Sequence, residues 1–277
     1  MGGALEDISP TLMEIGEEQF ERVRAGLAGR PDRDTGVHHA RKAIKRLRAL
    51  LRLVRPELRK PRFRDLDRRL RDAGRALAPL RDARVSLDTL EEVAAGRCPT
   101  LQERLAERYE RASAGLLVGP IADRMADARR EWISLLTPIE VGAVAGARRV
   151  HRRGSDRYRA VVGRGEAKDF HEWRKQVKHL RYQLEALRTA GAAGLDDAIS
   201  SLDELGEVLG AEHDLTVLMG LVDAEPRCGS EREVLLADLE VRRSARRREA
   251  VPMGDPAFGT GAEGFAAQLG LIGGSRR

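Results

Sequence analysis

Aromatic side chains, cysteines, lysines and long apolar runs are all scarce in this chain. The longest apolar run, 115–122, is too short and too broken to cross a membrane. Residues 1–10 lack the basic start and apolar core of a secretory signal. Cys98 and Cys228 read as two isolated cysteines, with no CxxC spacing and no disulfide framework, which points to a reducing compartment. The expectation is therefore a cytoplasmic protein without a membrane partner. Neither a P-loop nor a carboxylate cluster for Mg²⁺ is visible, which argues against a kinase or polyphosphatase, and no enzyme activity or cofactor is expected.

What is abundant is charge. Charged residues make up 34% of the 277 positions and aromatics 4%, with a net charge of +6. Long amphipathic stretches of Ala, Leu, Arg and Glu indicate an all-α protein. The basic balance favours a polyanionic partner. Only six of the 50 basic side chains are lysine: Lys42, Lys45, Lys60, Lys168, Lys175 and Lys178. Four of these stand at matching places in two copies of one motif, which suggests a site that wants compact ammonium charges there.

The first copy runs from Val37 to Arg48 and the second, 133 positions later, from Phe170 to Arg181. His38, Arg41, Lys42, Lys45, Leu47 and Arg48 recur as His171, Arg174, Lys175, Lys178, Leu180 and Arg181. At about 100° per residue, His38, Arg41, Lys42, Lys45, Arg48 and Arg52 share an arc roughly 120° wide. Val37, Ala40, Ile44, Leu47, Leu51 and Val54 fill the opposite arc; Phe170, Trp173, Val177, Leu180, Leu184 and Leu187 do the same in the second copy. Each copy is thus a helix with one buried apolar face and one cationic face. No Asp or Glu occurs from His38 to Arg55. An ordinary surface helix mixes acids with bases, so this concentration of like charge calls for a bound anion.

A further match, 132 positions apart, pairs Gly74, Leu77, Asp82 and Val85 with Gly206, Leu209, Asp214 and Val217. The chain therefore reads as two tandem four-helix bundles, 1–138 and 139–277, related by pseudo-two-fold symmetry with a basic cavity between them. Helices are expected at about 9–28, from a Thr35 cap to Arg55, 64–78, 80–95, 100–117, 120–136 and 144–162. The second motif helix should open on an Asp169–Glu172 capping box and end near Gly191. Helices at 195–210, 211–224 and 231–248 should follow, with at most a short one at 263–269. Asp82 and Asp214 are expected to hold a neighbouring Arg in position. Arg68, Arg71 and Arg75 form a spaced row that would widen the basic surface of the first half.

The paired His-x-x-Arg-Lys motifs and the later Leu-Gly-x-x-His-Asp element (Leu209 to Asp214) resemble the CHAD (conserved histidine α-helical domain) family. The resemblance covers about residues 10–270. The first half departs from it, reading Ala78-Pro79-Leu80-Arg81-Asp82 where the family has Gly after Leu. The resemblance implies two bundles facing each other across a basic cavity that binds inorganic polyphosphate, association with polyphosphate granules, and no catalysis. Carried over by position, its phosphate contacts would be His38, Arg41, Lys42, Lys45, Arg46, Arg48, His171, Arg174, Lys175, Lys178, His179 and Arg181, with Arg81 and His213 beside them. Arg52, Arg75 and Tyr182 join on helical position. The family's usual partner, a triphosphate-hydrolysing domain, finds no acidic strand pattern here, so the chain reads as a stand-alone module.

Competing readings are weaker. Non-specific nucleic-acid binding would use the same charges, but Trp173 falls on the apolar face, and the first copy has Ala40 and Ala49 where Trp173 and Tyr182 stand. That leaves no stacking platform. Histidine phosphotransfer would need room beside the histidine, where Lys42 and Lys175 stand. The histidines are surrounded by Arg and Lys and cluster with no carboxylate, so no metal is expected.

Overall fold

The computed structural model describes residues 7–94, 96–137, 141, 145–229, 231–259, 261 and 264. Ten α-helices account for most of them. They are α1 (Ser9–Leu27), α2 (Arg33–Leu53), α3 (Lys60–Ala76), α4 (Ala78–Ala94) and α5 (Pro99–Ala114). Then come α6 (Val118–Leu136), α7 (Ala145–Arg164), α8 (Ala167–Thr189), α9 (Asp196–Asp223) and α10 (Glu231–Phe258). Short 3-10 turns occupy Arg55–Glu57 and Pro226–Cys228. No helix among the described residues is long and apolar enough to cross a membrane.

Two closed rings of helices result. In one, α1 packs on α2, α2 on α3, α3 on α6 and α6 back on α1. In the other, α7, α8, α9 and α10 close in the same way, and α2 against α8 joins the rings. The α4–α5 hairpin leaves its own half and lies along α9. A second, smaller core forms there from Leu90, Val93, Leu101 and Leu105 with Leu215, Leu218, Val222, Leu235 and Leu239. The expected junction between halves, at 138/139, lies outside the described residues, as does the expected helix at 263–269 apart from Gly264.

The two halves use matched sequence differently. In the first, the chain breaks at Leu77 between α3 and α4. Pro79 lacks an N–H, and its ring would collide with the carbonyl four residues back. The equivalent Leu209-Gly210-Ala211 has no proline, so α9 runs unbroken where two helices were expected. Likewise α10 continues past Arg248 through Pro252 and Pro256 to Phe258. Tertiary burial outweighs the proline cost: Gly254 and Phe258 lie against Trp173, and Phe258 stacks on His151.

The cysteines are not isolated. Cys98, at the N-cap of α5, is disulfide-bonded to Cys228 with their Cα atoms 4.9 Å apart. Spacing could not announce a pair that only the fold brings together. The bond removes the cysteine argument for a reducing compartment, and it ties the α4–α5 hairpin to the α9–α10 turn.

Candidate anion-binding site

Both motif helices form, and both bury the expected stripe. Val37, Ala40, Ile44, Leu47 and Leu51 on α2 with Val54 at its C-cap, and Phe170, Trp173, Val177, Leu180, Leu184 and Leu187 on α8, are all at most 3% exposed. The cap of α2 is Asp32, not Thr35: its carboxylate accepts from the Thr35 N–H at 2.9 Å. A Cβ on Gly36 would sit 2.6 Å from the Gly26 carbonyl oxygen, so α1 and α2 can cross this closely only through glycines. The expected capping box of α8 does not form. Asp169 instead accepts from Arg164 at 2.7 Å, and Glu172 pairs with Lys175 at 2.5 Å.

Helices α2 and α8 are joined by polar contacts. Buried Gln183 donates to the Ala49 carbonyl at 2.9 Å, and Arg46 pairs with Glu185 at 3.1 Å. The Arg46 and Arg181 guanidinium carbons lie 5.2 and 4.9 Å from the centre of the Tyr182 ring. Tyr182 is therefore buried between two cations, and Trp173 is core, packed on Tyr158 and Phe258.

The candidate cations fall into two groups. One is neutralised by acids from neighbouring helices. Asp67 on α3 binds Arg48 at 2.9 Å and Arg52 at 3.2 Å. Arg181 pairs with Glu185 at 3.0 Å and also with Asp203. Arg41 pairs with Asp82 at 3.2 Å, the positioning role expected of that acid. The inference that only a bound anion could relieve α2 is thereby corrected in part: the missing acids come from α3, α4 and α8.

The other group has acids only at longer range, such as Asp82 near Lys45 and Glu207 and Asp214 near Lys178. Among the described residues Lys42, Lys45, Arg75, Arg81, Arg174 and Lys178 form no ion pair. Glycines 206 and 210 on α9 face these side chains: a Cβ there would lie in ordinary contact, 3.8 Å from the Lys178 Cε and 3.6 Å from an Arg174 guanidinium nitrogen. The Nε of Arg174 is buried without a hydrogen-bond partner, as is Nδ1 of His179. Buried polar atoms left unpaired in this way are costly unless something bonds to them.

The electrostatic consequence is visible at each amine. Burial, then Arg41, Arg174 and Lys178, brings Lys45 down to about 7, although its side chain still reaches solvent. Burial and Arg174 bring Lys178 down to about 8. Burial followed by Arg81 lowers His38 to about 4, and burial followed by Arg174 lowers His213 to about 4. His179 is pushed well down by burial, then by Arg52 and Arg48. His171 is lowered by burial and Lys175, and its Nδ1 lies 3.3 Å from that of His213. Asp214 is raised by burial despite Arg174 and Lys178 beside it. Residues from α2, α4, α8 and α9 thus converge on one centre, with Lys45 and Lys178 from opposite halves at its middle.

Not every sequence candidate belongs there. Arg75 is exposed in the last turn of α3, and it is not among the cations bearing most on Lys45 or Lys178. Arg68 pairs with Asp65, and Arg71 with Asp72 at 3.4 Å. Arg68 lines a groove shared with α6, so this row does not widen the centre. Sequence reading missed the neutralising acids Asp67, Glu185 and Asp203. Only Glu185 carried a local signal, four residues after Arg181 on one helix. Among the described residues no three or more His, Cys, Asp or Glu side chains are grouped so that they could hold a metal ion.

A crystal structure of the CHAD domain from the plant Ricinus communis matches the fold with a TM-score of 0.64 at 18% identity, covering 99% of this chain and 95% of the other. PptA from Streptomyces chartreusis matches with a TM-score of 0.62 at 16% identity, covering 96% of this chain and all of the other. No curated protein matches. The model of the CHAD domain matches residues 14–223, which include both motif helices and the helices that complete the centre. By that match, the chain belongs to the CHAD domain family.

Proposed function

We propose that the protein binds inorganic polyphosphate, without catalysis, at the centre built by α2, α4, α8 and α9. One observation carries the reading: Lys45 and Lys178, from opposite halves, meet at one centre where desolvation and the cations around them, Arg174 in common, lower both. The acids near them (Asp82 for Lys45, Glu207 and Asp214 for Lys178) form no ion pair with either among the described residues. A linear polyanion supplies the missing countercharge. It has no bases to stack or read, which suits a site whose one nearby aromatic, Tyr182, is enclosed by guanidiniums. Arginine offers forked contact to phosphate oxygens and lysine a compact charge. The neutral histidines serve as hydrogen-bond donors. Family membership supports the same reading, and with it association with polyphosphate granules.

The test is Lys45→Gln combined with Lys178→Gln. Loss of two partly desolvated charged contacts should weaken long-chain polyphosphate binding by about 100-fold or more. Unchanged binding by a folded double variant overturns the proposal. The chain length of bound polyphosphate should stay constant on incubation; release of orthophosphate contradicts the non-catalytic part.

A further inference from the structure

Helix α7 carries a row of arginines that the central site does not use. Arg149, Arg153 and Arg157 recur every fourth residue, with Arg152 between them, on a stretch about 12 Å long. Arg152, Arg153 and Arg157 are exposed and Arg149 is half-buried. None of the four forms an ion pair among the described residues. The acids nearby are already engaged: Asp156 by Arg159 at 2.6 Å, Asp169 by Arg164 at 2.7 Å and Glu172 by Lys175 at 2.5 Å. Burial and the neighbouring arginines, Arg55 included, hold Arg153 below its ordinary value.

The row is continuous with the central site. Gly146, at the start of α7, rests on the backbone of Leu53, where a Cβ would come within 1.9 Å of the carbonyl oxygen. Thus α7 begins where the cationic face of α2 ends, at Arg52. Arg153 bears on Arg52, and Arg52 in turn bears on His179 of α8. Asp67 serves both Arg48 and Arg52, so that junction keeps excess positive charge.

We propose that the α7 arginines form an outer track for polyphosphate, receiving the part of a long chain that emerges from the central site past Arg52. This rests on the polyphosphate reading and deepens it: the protein selects for chain length, because only a chain longer than the central site reaches α7. A short chain uses the centre alone.

The test compares tripolyphosphate with long-chain polyphosphate on wild type and on Arg149→Gln/Arg153→Gln/Arg157→Gln. For the long chain the triple variant should bind about 10-fold or more weakly. Its log-affinity against log-salt slope should flatten by about 2, at about 0.7 per lost contact on a single-stranded polyanion. Tripolyphosphate affinity should not change, and the corresponding triple Lys variant should retain long-chain affinity. Equal weakening for both ligands, or none for either, overturns the outer track while leaving central binding intact. Loss of RNA binding with long-chain binding unchanged also overturns it, by assigning the row to nucleic acid. If wild type binds neither polyphosphate, the functional proposal itself fails. Circular dichroism and melting of the triple variant exclude unfolding as the cause.

Discussion

Polyphosphate binding should take up protons, and the amount follows from two lysines. In the free protein Lys45 sits near pKa 7 and Lys178 near 8. A bound polyanion favours their charged forms and returns both toward the ordinary lysine value of 10.5. At pH 8 Lys45 is then about 10% charged and Lys178 about half charged before binding, so the two lysines take up about 1.4 protons on binding, against about 0.1 from the same pair at pH 6. Affinity should consequently fall about 20-fold between pH 6 and pH 8. His38 and His213, near 4 in the free protein, would be raised by the same anion toward 6.5 and so add uptake only at the acid end of that window, which leaves pH 8 as the condition that reads the lysines alone. The assay is titration calorimetry in buffers of different ionisation enthalpy, using long chains so that terminal phosphates are negligible. Replacing Lys45 by Gln should remove most of the uptake at pH 8. Zero uptake at pH 8, or affinity rising with pH, refutes the reasoning. The same shifts govern the free protein. A base whose pKa falls on folding releases protons on folding, so stability should rise with pH between about 7 and 10.5. Stabilisation by polyphosphate should accordingly be greater at pH 6.5 than at pH 8.5, measured as a shift in melting temperature.

Asp82→Asn frees Arg41 and removes a charge that favours protonated Lys45. Polyphosphate affinity at low salt should rise several-fold, with a salt slope steeper by about 0.7, read from binding at three salt concentrations. Replacing Cys98 and Cys228 by Ser opens a loop closed across 130 residues and should cost about 2–5 kcal/mol in denaturant unfolding. The loss should be matched by adding reductant to wild type. Gly146→Ala forces a methyl into the Leu53 backbone and should cost about 1–3 kcal/mol or more, while Gly163→Ala, with open space around it, should cost far less.

The two motif helices were legible because period and chemistry agreed: every residue assigned to the apolar arcs is buried, and the cations stand opposite. The convergence of Lys45 with Lys178 was legible because the motif occurs twice. The partners of the arginines were not. Asp67, Glu185 and Asp203 reach α2 and α8 from other turns or other helices, and no local pattern ties Asp67 to Arg48. The Cys98–Cys228 bond was hidden for the same reason. Helix ends misled where tertiary burial overrode local signals, as at Pro252 and Pro256, which α10 passes through because Gly254 and Phe258 are packed against Trp173. The α7 arginines had a plain sequence signal, but only the fold connects them to Arg52.

The central claim is that the convergent lysines and arginines hold a polyphosphate chain and not another polyanion. A competition measurement addresses it directly: labelled long-chain polyphosphate on the wild-type protein, displaced by unlabelled polyphosphate, RNA or duplex DNA at equal phosphate concentration and physiological salt. The account predicts displacement by polyphosphate alone, with RNA and DNA at least 10-fold weaker, a gap of about 1.4 kcal/mol. Equal or stronger displacement by RNA would contradict it.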